Sequence, residues 1–291
     1  MSIAWFKNRL TDLKYFIWLA KNWRCWKDGK YSLIPFLKYW VLYPIPRLFS
    51  GREEAPNVSR NIISRFKDKN LIIPLPISST NTYWIGLRDS VDFDAFREVC
   101  IEDHYNSSQI KAGMVVVDIG AHIGTFTLSA SKKAGEDGKV IAIEPEINNF
   151  NQLKRNLEIN EIKNVIPANI ALNDFNGEKD FFITKGSGCH SLFPPSGTQI
   201  IHKVQINVKT LDTLLRELNI NSVDFLKIDT EGAELEILKG AKETLSKNPQ
   251  MKMAIASYHY PNESQEVAEY LKELNFFPKI LLGIFKLVVV E

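Results

Sequence analysis

The sequence predicts an α/β fold built on an open, mostly parallel sheet, with a helical extension at its N-terminus. Three observations carry that reading. After Gly113, short β-branched runs alternate with helix-length amphipathic segments, the pattern of parallel strands joined by right-handed crossovers. The strand-like VVVDI at 115–119 runs into the turn GAHIG and then into TFTLSAS, a strand–turn–helix junction of the kind that holds ligands in such sheets. The first 52 residues differ in chemistry from the rest: they hold 10 of the 36 Lys and Arg and 2 of the 34 Asp and Glu, a net charge of +8 against −6 for the remainder.

The extension, residues 1–56, comes first. Five of the six tryptophans lie there, at 5, 18, 23, 26 and 40, and rings mixed with cations suit a helix lying at a membrane interface. Ile3, Phe6, Leu10, Leu13, Ile17 and Ala20 recur at spacings of three and four, which equally describes a helix packed on the rest of the protein or on a partner. Both readings stay open. Charges interrupt the first twenty residues, so the segment lacks the continuous apolar run of a signal peptide or a membrane span. Prolines at 35, 44, 46 and 56 end it as irregular structure. Cys25, Cys100 and Cys189 are odd in number and far apart, which points away from a disulfide framework or zinc site and toward a reducing compartment. The expectation is a cytoplasmic protein with peripheral membrane contact through residues 1–52; no recognised motif supports a nucleic-acid partner.

Residues 57–113 read as a lead-in, with strand candidates NIISRF and LIIPLPI and a helix around DFDAFREVCIEDHY. Residues 114–291 read as the core. Strand MVVVD leads to a helix over 123–134, KVIAI to a helix over 147–160, and VIPANIAL is the third strand. VDFLKI, a helix LEILKGAKETL, MKMAIASY, and a closing pair FFPKI and FKLVVV follow.

Ligands of open parallel sheets sit beyond the carboxyl ends of the strands, at the first strand's turn. Here Gly120 and Gly124 enclose Ala121 and His122, so the middle glycine that admits a pyrophosphate in the dinucleotide motif is missing. Asp118 at the strand end repels phosphate and favours an ammonium or sulfonium. Glu144 closes the second strand 24 residues after Gly120, where a carboxylate can accept both hydroxyls of an adenosine ribose. Together they point to S-adenosylmethionine, with the amino group near Asp118 and the ribose on Glu144. The plainer alternative makes Asp118 a helix cap and leaves Glu144 solvated; an NAD-dependent oxidoreductase lacks its glycine.

VVVDIGAHIGTFTLSAS, VIAIEPEINNFNQLKRNLEIN, IALNDFNG, VKTLDTLL and DFLKIDTEGAELEILKGA resemble, in order and spacing over about residues 94–280, the FkbM family of S-adenosylmethionine-dependent methyltransferases. The resemblance implies a class I methyltransferase, Rossmann-like, with a seven-stranded mostly parallel sheet whose last strand is antiparallel, and O-methylation of a hydroxyl, often on a sugar. Two departures stand out: His122 replaces the asparagine common in the family turn, and residues 1–56 have no counterpart in the family core.

Methyl transfer from a sulfonium is an in-line displacement that needs an aligned acceptor and a group to take its proton. Asp229 and Glu231, two apart at the end of the fourth strand, can point to one side and orient the hydroxyl, touch the cofactor or bind Mg²⁺; a solvated acidic turn is the alternative, and for Glu234 the two weigh equally. His259, after the fifth strand and matching a histidine frequent there in the family, is the first choice of base, since imidazole titrates near neutrality. His190 lies in a segment between strands three and four that can close over the acceptor, or is an ordinary loop histidine. The expected cofactor set is Asp118, Gly120, Ala121, His122, Gly124, Glu144 and Asp229; the catalytic set is His259, Asp229 and Glu231; a divalent metal is an option without sequence support. The expected acceptor is a glycan or glycolipid-like hydroxyl, and the alternative from another class is a cofactor-binding regulator or scaffold of the same fold.

Overall fold

The computed structural model describes residues 71–74, 83–88, 90–101, 103–194, 199–282 and 286–290. The N-terminal extension and the strand candidate NIISRF lie outside these residues. The chain divides into two compact units, and the boundary falls between His104 and Tyr105, with 158–160 grouped with the first.

In the first unit, β1 (Leu71–Pro74) and β2 (Trp84–Leu87) pair antiparallel. The Asn160 side chain donates to the Trp84 carbonyl and accepts from its amide, both at 2.6 Å. Helix α1 (Ser90–Phe96) passes into a wider π turn, Arg97–Ile101. Buried Asp92 accepts from the Arg88 amide at 2.7 Å and pairs with its guanidinium at 2.9 Å, fixing the helix start. The helix expected over DFDAFREVCIEDHY therefore begins two residues earlier and ends at Ile101; left-handed Asp103, φ 48°, prevents its continuation.

The second unit carries the parallel sheet. Its strands are β3 (Val115–Ile119), β4 (Lys139–Ile143), β5 (Val165–Ala168), β9 (Phe225–Ile228), β10 (Lys252–Ala256), β11 (Lys279–Leu282) and β12 (Lys286–Val290). They lie in the order β11-β12-β10-β9-β3-β4-β5. β12 runs antiparallel to β10, while β10, β9, β3, β4 and β5 are mutually parallel. This is the expected seven-stranded sheet with an antiparallel last strand. The central strands read VVVDI, KVIAI, FLKI and KMAIA because both faces are covered, which favours near-continuous apolar runs.

Helices α2 (Thr125–Ala134), α3 (Ile147–Ile159), α4 (Leu211–Glu217), α5 (Glu234–Lys239), α6 (Lys242–Lys247) and α7 (Glu263–Glu273) flank the strands. Val117, Ile119, Ile141, Ile143, Leu226 and Ile255 share one core with Leu211 and Leu214 of α4, Ile237 of α5, Leu245 of α6 and Leu271 of α7. The opposite side carries Phe126 of α2, stacked on Phe225 at 6.0 Å and meeting Tyr105 edge-on at 5.8 Å. The single helix expected over LEILKGAKETL breaks at Gly240, where any Cβ would meet the Asn173 carbonyl oxygen at 2.2 Å. Asp212 then caps α6 by accepting from the Glu243 and Thr244 amides.

The strand expected over VIPANIAL is two strands. β5 belongs to the main sheet, whereas β6 (Ala171–Leu172) joins a second sheet, order β6-β8-β7, with the long hairpin β7 (Gly177–Thr184) and β8 (Ile200–Lys209). Asn169 sits at the split, donating to the carbonyls of Glu144 and Pro145, both at 2.9 Å. Its side chain fixes the loop that follows β4. No helix among the described residues is long and apolar enough to cross a membrane.

Candidate active site

The strand order turns back at β3, whose neighbours are β4 on one side and β9 on the other. The carboxyl ends of β3, β4, β9 and β10 converge there, the crevice in which open α/β sheets bind ligands.

The β3 turn is closed tightly. The Gly120 and Ala121 amides both donate to the Ile143 carbonyl, at 3.0 and 2.9 Å, and the Asp229 amide donates to the Ile119 carbonyl at 3.0 Å. Gly120 has φ 74°, and a Cβ there would lie 1.8 Å from the Asp229 carbonyl oxygen, so only glycine lets the β3 and β9 turns approach. His122 is left-handed at φ 52°, a strained state for a side-chain-bearing residue. That conformation aims its amide at Glu144 Oε2, 2.8 Å away.

Glu144 is buried, and its other oxygen accepts from the Glu146 amide at 2.9 Å. Burial pushes its carboxyl up to about 7 against the pull of those two amides. The expectation that Glu144 is either a ribose acceptor or a solvated residue thus narrows: it is not solvated.

Asp118 is fully buried, and its charge is met inside the protein. It stands in register with Lys227 on β9, whose Nζ lies 3.0 Å from Asp118 Oδ1. The Thr127 hydroxyl donates to Oδ2 at 2.6 Å. Lys227 also donates to the Ile119 and Gly120 carbonyls, at 3.3 and 2.7 Å. The sequence reading gave Asp118 a cationic ligand; the structure gives its carboxylate a buried lysine, and the pair anchors the turn.

The second cluster follows β9 and β10. The Ile228–Gly232 segment is not extended, as the spacing of Asp229 and Glu231 suggests, but a tight turn with Glu231 left-handed at φ 60°. Glu234, fully buried, holds it by accepting from the Thr230 amide at 2.7 Å and the Gly232 amide at 2.9 Å. Glu234 is therefore a structural clamp as well as a member of the cluster. The turn brings Asp229 Oδ1 to 3.6 Å and Glu231 Oε2 to 4.0 Å from His259 Nε2. On the other side of the ring, Glu234 and Glu263 lie 3.6 and 3.3 Å from Nδ1. Glu263 also accepts from the His259 amide at 2.7 Å, and the Tyr105 hydroxyl donates to Asp229 Oδ2 at 2.5 Å.

Electrostatics follow from this crowding. Burial alone would lower the His259 pKa, but Asp229, Glu234 and Glu263 hold it far above the usual imidazole range. Burial would raise Asp229, yet the His259 ring, Lys227 and Tyr105 bring it well below the usual carboxylate range. Burial raises Glu231 to about 8 and Glu263 to about 7. Acids packed this closely around the ring favour positive charge at this position, which works against His259 as a free general base.

His190 is placed elsewhere. Its Nδ1 accepts from the Thr184 amide at 3.1 Å, fixing the bend at the end of β7. That same segment does reach the site: the Ser191 hydroxyl donates to the Glu231 carbonyl at 2.7 Å, and the Ser187 carbonyl accepts from Asn149 at 2.9 Å. Tyr105, Lys227 and Glu263 escaped the sequence reading. Only Lys227 left a local signal, a lysine inside the apolar strand FLKI.

The family model described as the Methyltransferase FkbM domain matches residues 118–278. Methyltransferase 1 of Beauveria bassiana is 28% identical over 166 residues, 50% of this chain and 65% of the relative. Hexuronic acid methyltransferase AglP of Haloferax volcanii is 28% identical over 172 residues, 57% of this chain and 64% of the relative. The crystal structure of Methyltransferase FkbM from Methylobacillus flagellatus aligns with a TM-score of 0.46 at 19% identity, over 61% of this chain and 43% of that one. The chain thus spans less than two thirds of the length of these curated relatives. The matched segment begins at Asp118, takes in the glycine turn, Glu144 and the acidic turn after β9, and covers more than half of the 291 residues: the chain belongs to the FkbM methyltransferase family.

Proposed function

We propose that this protein transfers a methyl group from S-adenosylmethionine to a hydroxyl oxygen of a sugar, with a hexuronic acid or related glycan unit as the acceptor class. The observation that carries the reading is the convergence at one sheet edge of a glycine turn, a buried carboxylate at the end of the next strand and an acidic turn. The printed name of the Haloferax volcanii relative, a hexuronic acid methyltransferase, supports the acceptor class.

The residues present fit the cofactor. Gly120 leaves the turn bare of side chain, Ala121 is buried, and Gly124 is the N-cap of α2. The amides of His122 and Glu146 already fix both oxygens of Glu144, so the carboxylate is oriented before a ribose reaches it. Asp118 contributes through Lys227, which holds the turn carbonyls in place. When bound, the cofactor supplies an electrophilic methyl group on a sulfonium.

At the acceptor end the chain provides position and a proton sink. Asp229 and Glu231 are the more open members of the cluster, with side chains 24% and 29% exposed against 7% for His259. They face the incoming hydroxyl and orient it, and Glu231, the more basic of the two, takes its proton. Ser191 ties the hairpin arm to the same turn and so shapes the acceptor side.

The test is transfer of isotopically labelled methyl from S-adenosylmethionine to a panel of hexosides and hexuronosides. Label is expected in an alkali-stable methyl ether. Glu231→Gln is expected to lower the rate roughly 10²- to 10⁴-fold, the range for a proton-transfer group, with cofactor affinity changed little. Transfer to an amine or carbon acceptor in place of a sugar hydroxyl would contradict the reading.

A further inference from the structure

The His259 ring is enclosed by acids, but neither of its nitrogens is hydrogen-bonded to them. Its side chain is 7% exposed, and neither ring nitrogen has a hydrogen-bond partner among the described residues; the same holds for Asp229 Oδ1. The ring contacts at 3.3–3.6 Å are ion-pair distances that lack hydrogen-bond geometry. Buried polar groups are rarely left so. Asp229, Glu234 and His259 each bring one ligand atom within 4.8 Å of the others. Donors around one divalent cation at 2.0–2.3 Å are separated by roughly 3 to 4.6 Å.

We propose that Asp229, Glu234 and His259 bind a divalent cation. Two carboxylates and one imidazole make a mixed oxygen and nitrogen set, suited to a cation of the Mg²⁺ and Mn²⁺ class, with Mn²⁺ favoured by the imidazole. The surroundings supply the second layer that metal-binding histidines use. Glu263 faces Nδ1 at 3.3 Å. Tyr105 holds the other oxygen of Asp229, and the Thr230 and Gly232 amides hold Glu234. Resting on the proposed methyl transfer, the ion would take the acceptor hydroxyl as a further ligand and make it more acidic, with Glu231 at the rim receiving its proton.

Full-length protein stripped of metal by chelator is titrated with Mn²⁺ and followed by electron paramagnetic resonance. One saturable Mn²⁺ per chain is expected, with imidazole nitrogen coupling in the pulsed spectrum. Asp229→Asn and His259→Gln should each weaken it by about 10- to 100-fold, whereas Asp180→Asn, an exposed acid on β7, should leave it unchanged. Absence of saturable binding, absence of nitrogen coupling in the wild type, or equal binding by Asp229→Asn would each overturn the proposal. Calorimetry with S-adenosylmethionine on the same metal-free samples separates the two readings. Cofactor binding without Mn²⁺ binding defeats the cation site alone, and Mn²⁺ binding without cofactor binding defeats the cofactor reading.

Discussion

A buried carboxylate fixed by two backbone amides, like Glu144, pays a desolvation cost that shows in its titration. Its folded pKa, about 7, lies above the ordinary 4.5. The stability this difference contributes is fully present below the unfolded value and is lost as pH rises through about 7, in all about 3 kcal/mol. The groups facing it are the His122 and Glu146 amides, the Asn149 side chain and the Glu146 charge. Ribose hydroxyls donating to Glu144 would favour its ionised form, so cofactor affinity should rise between pH 6 and pH 8 by up to about tenfold. Glu144→Gln should remove that rise and flatten the stability loss seen by urea unfolding over the same interval. A variant whose affinity climbs with pH as steeply as the wild type's would show that Glu144 is not the ribose acceptor. Spacing along the chain was enough to mark Glu144 and Asp229. Tyr105 and Glu263 carry no such mark, since Tyr105 meets Asp229 across 124 residues and Glu263 reaches His259 only around the left-handed turn at Asn262.

At the scale of elements, the parallel register of β3 and β9 sets Asp118 beside Lys227 on the face away from the main core, under Tyr105, whose ring lies 5.2 Å from the Lys227 ammonium. Removing one partner of a buried ion pair strands the other charge, at about 3–5 kcal/mol. Lys227→Met should therefore lower unfolding stability by that order, and Lys227→Met with Asp118→Asn should recover part of it; equal urea midpoints for Lys227→Met and wild type would refute the anchoring role. The central strands were legible because burial on both faces demands VVVDI and KVIAI. The β7 and β8 hairpin was not, although VQINVK at 204–209 alternates apolar and polar residues, because β8 is exposed over most of its length and pairs with β7 across a long connection that carries no tight-turn signal. The split of VIPANIAL was likewise hidden, because the side-chain bonds that make Asn169 a junction reach back 25 residues to Glu144.

Three chemically distinct features lie on one sheet edge: a bare glycine turn, the buried carboxylate of Glu144 and a histidine ringed by acids. That edge follows from strand order, which the sequence pattern shows, whereas the ring of acids around His259 depends on side chains that only the fold brings together. The charge asymmetry of residues 1–52, net +8, lies outside the described residues. The β3 turn with Glu144 is proposed as an S-adenosylmethionine site. Isothermal calorimetry of the full chain with S-adenosylmethionine, with NAD⁺ as comparator, tests it most directly. One S-adenosylmethionine is expected per chain, with no heat from NAD⁺ and loss of binding in Gly120→Ala, whose added Cβ would meet the Asp229 carbonyl oxygen at 1.8 Å. Binding of NAD⁺ in preference to S-adenosylmethionine, or full S-adenosylmethionine affinity in a folded Gly120→Ala protein, would contradict it.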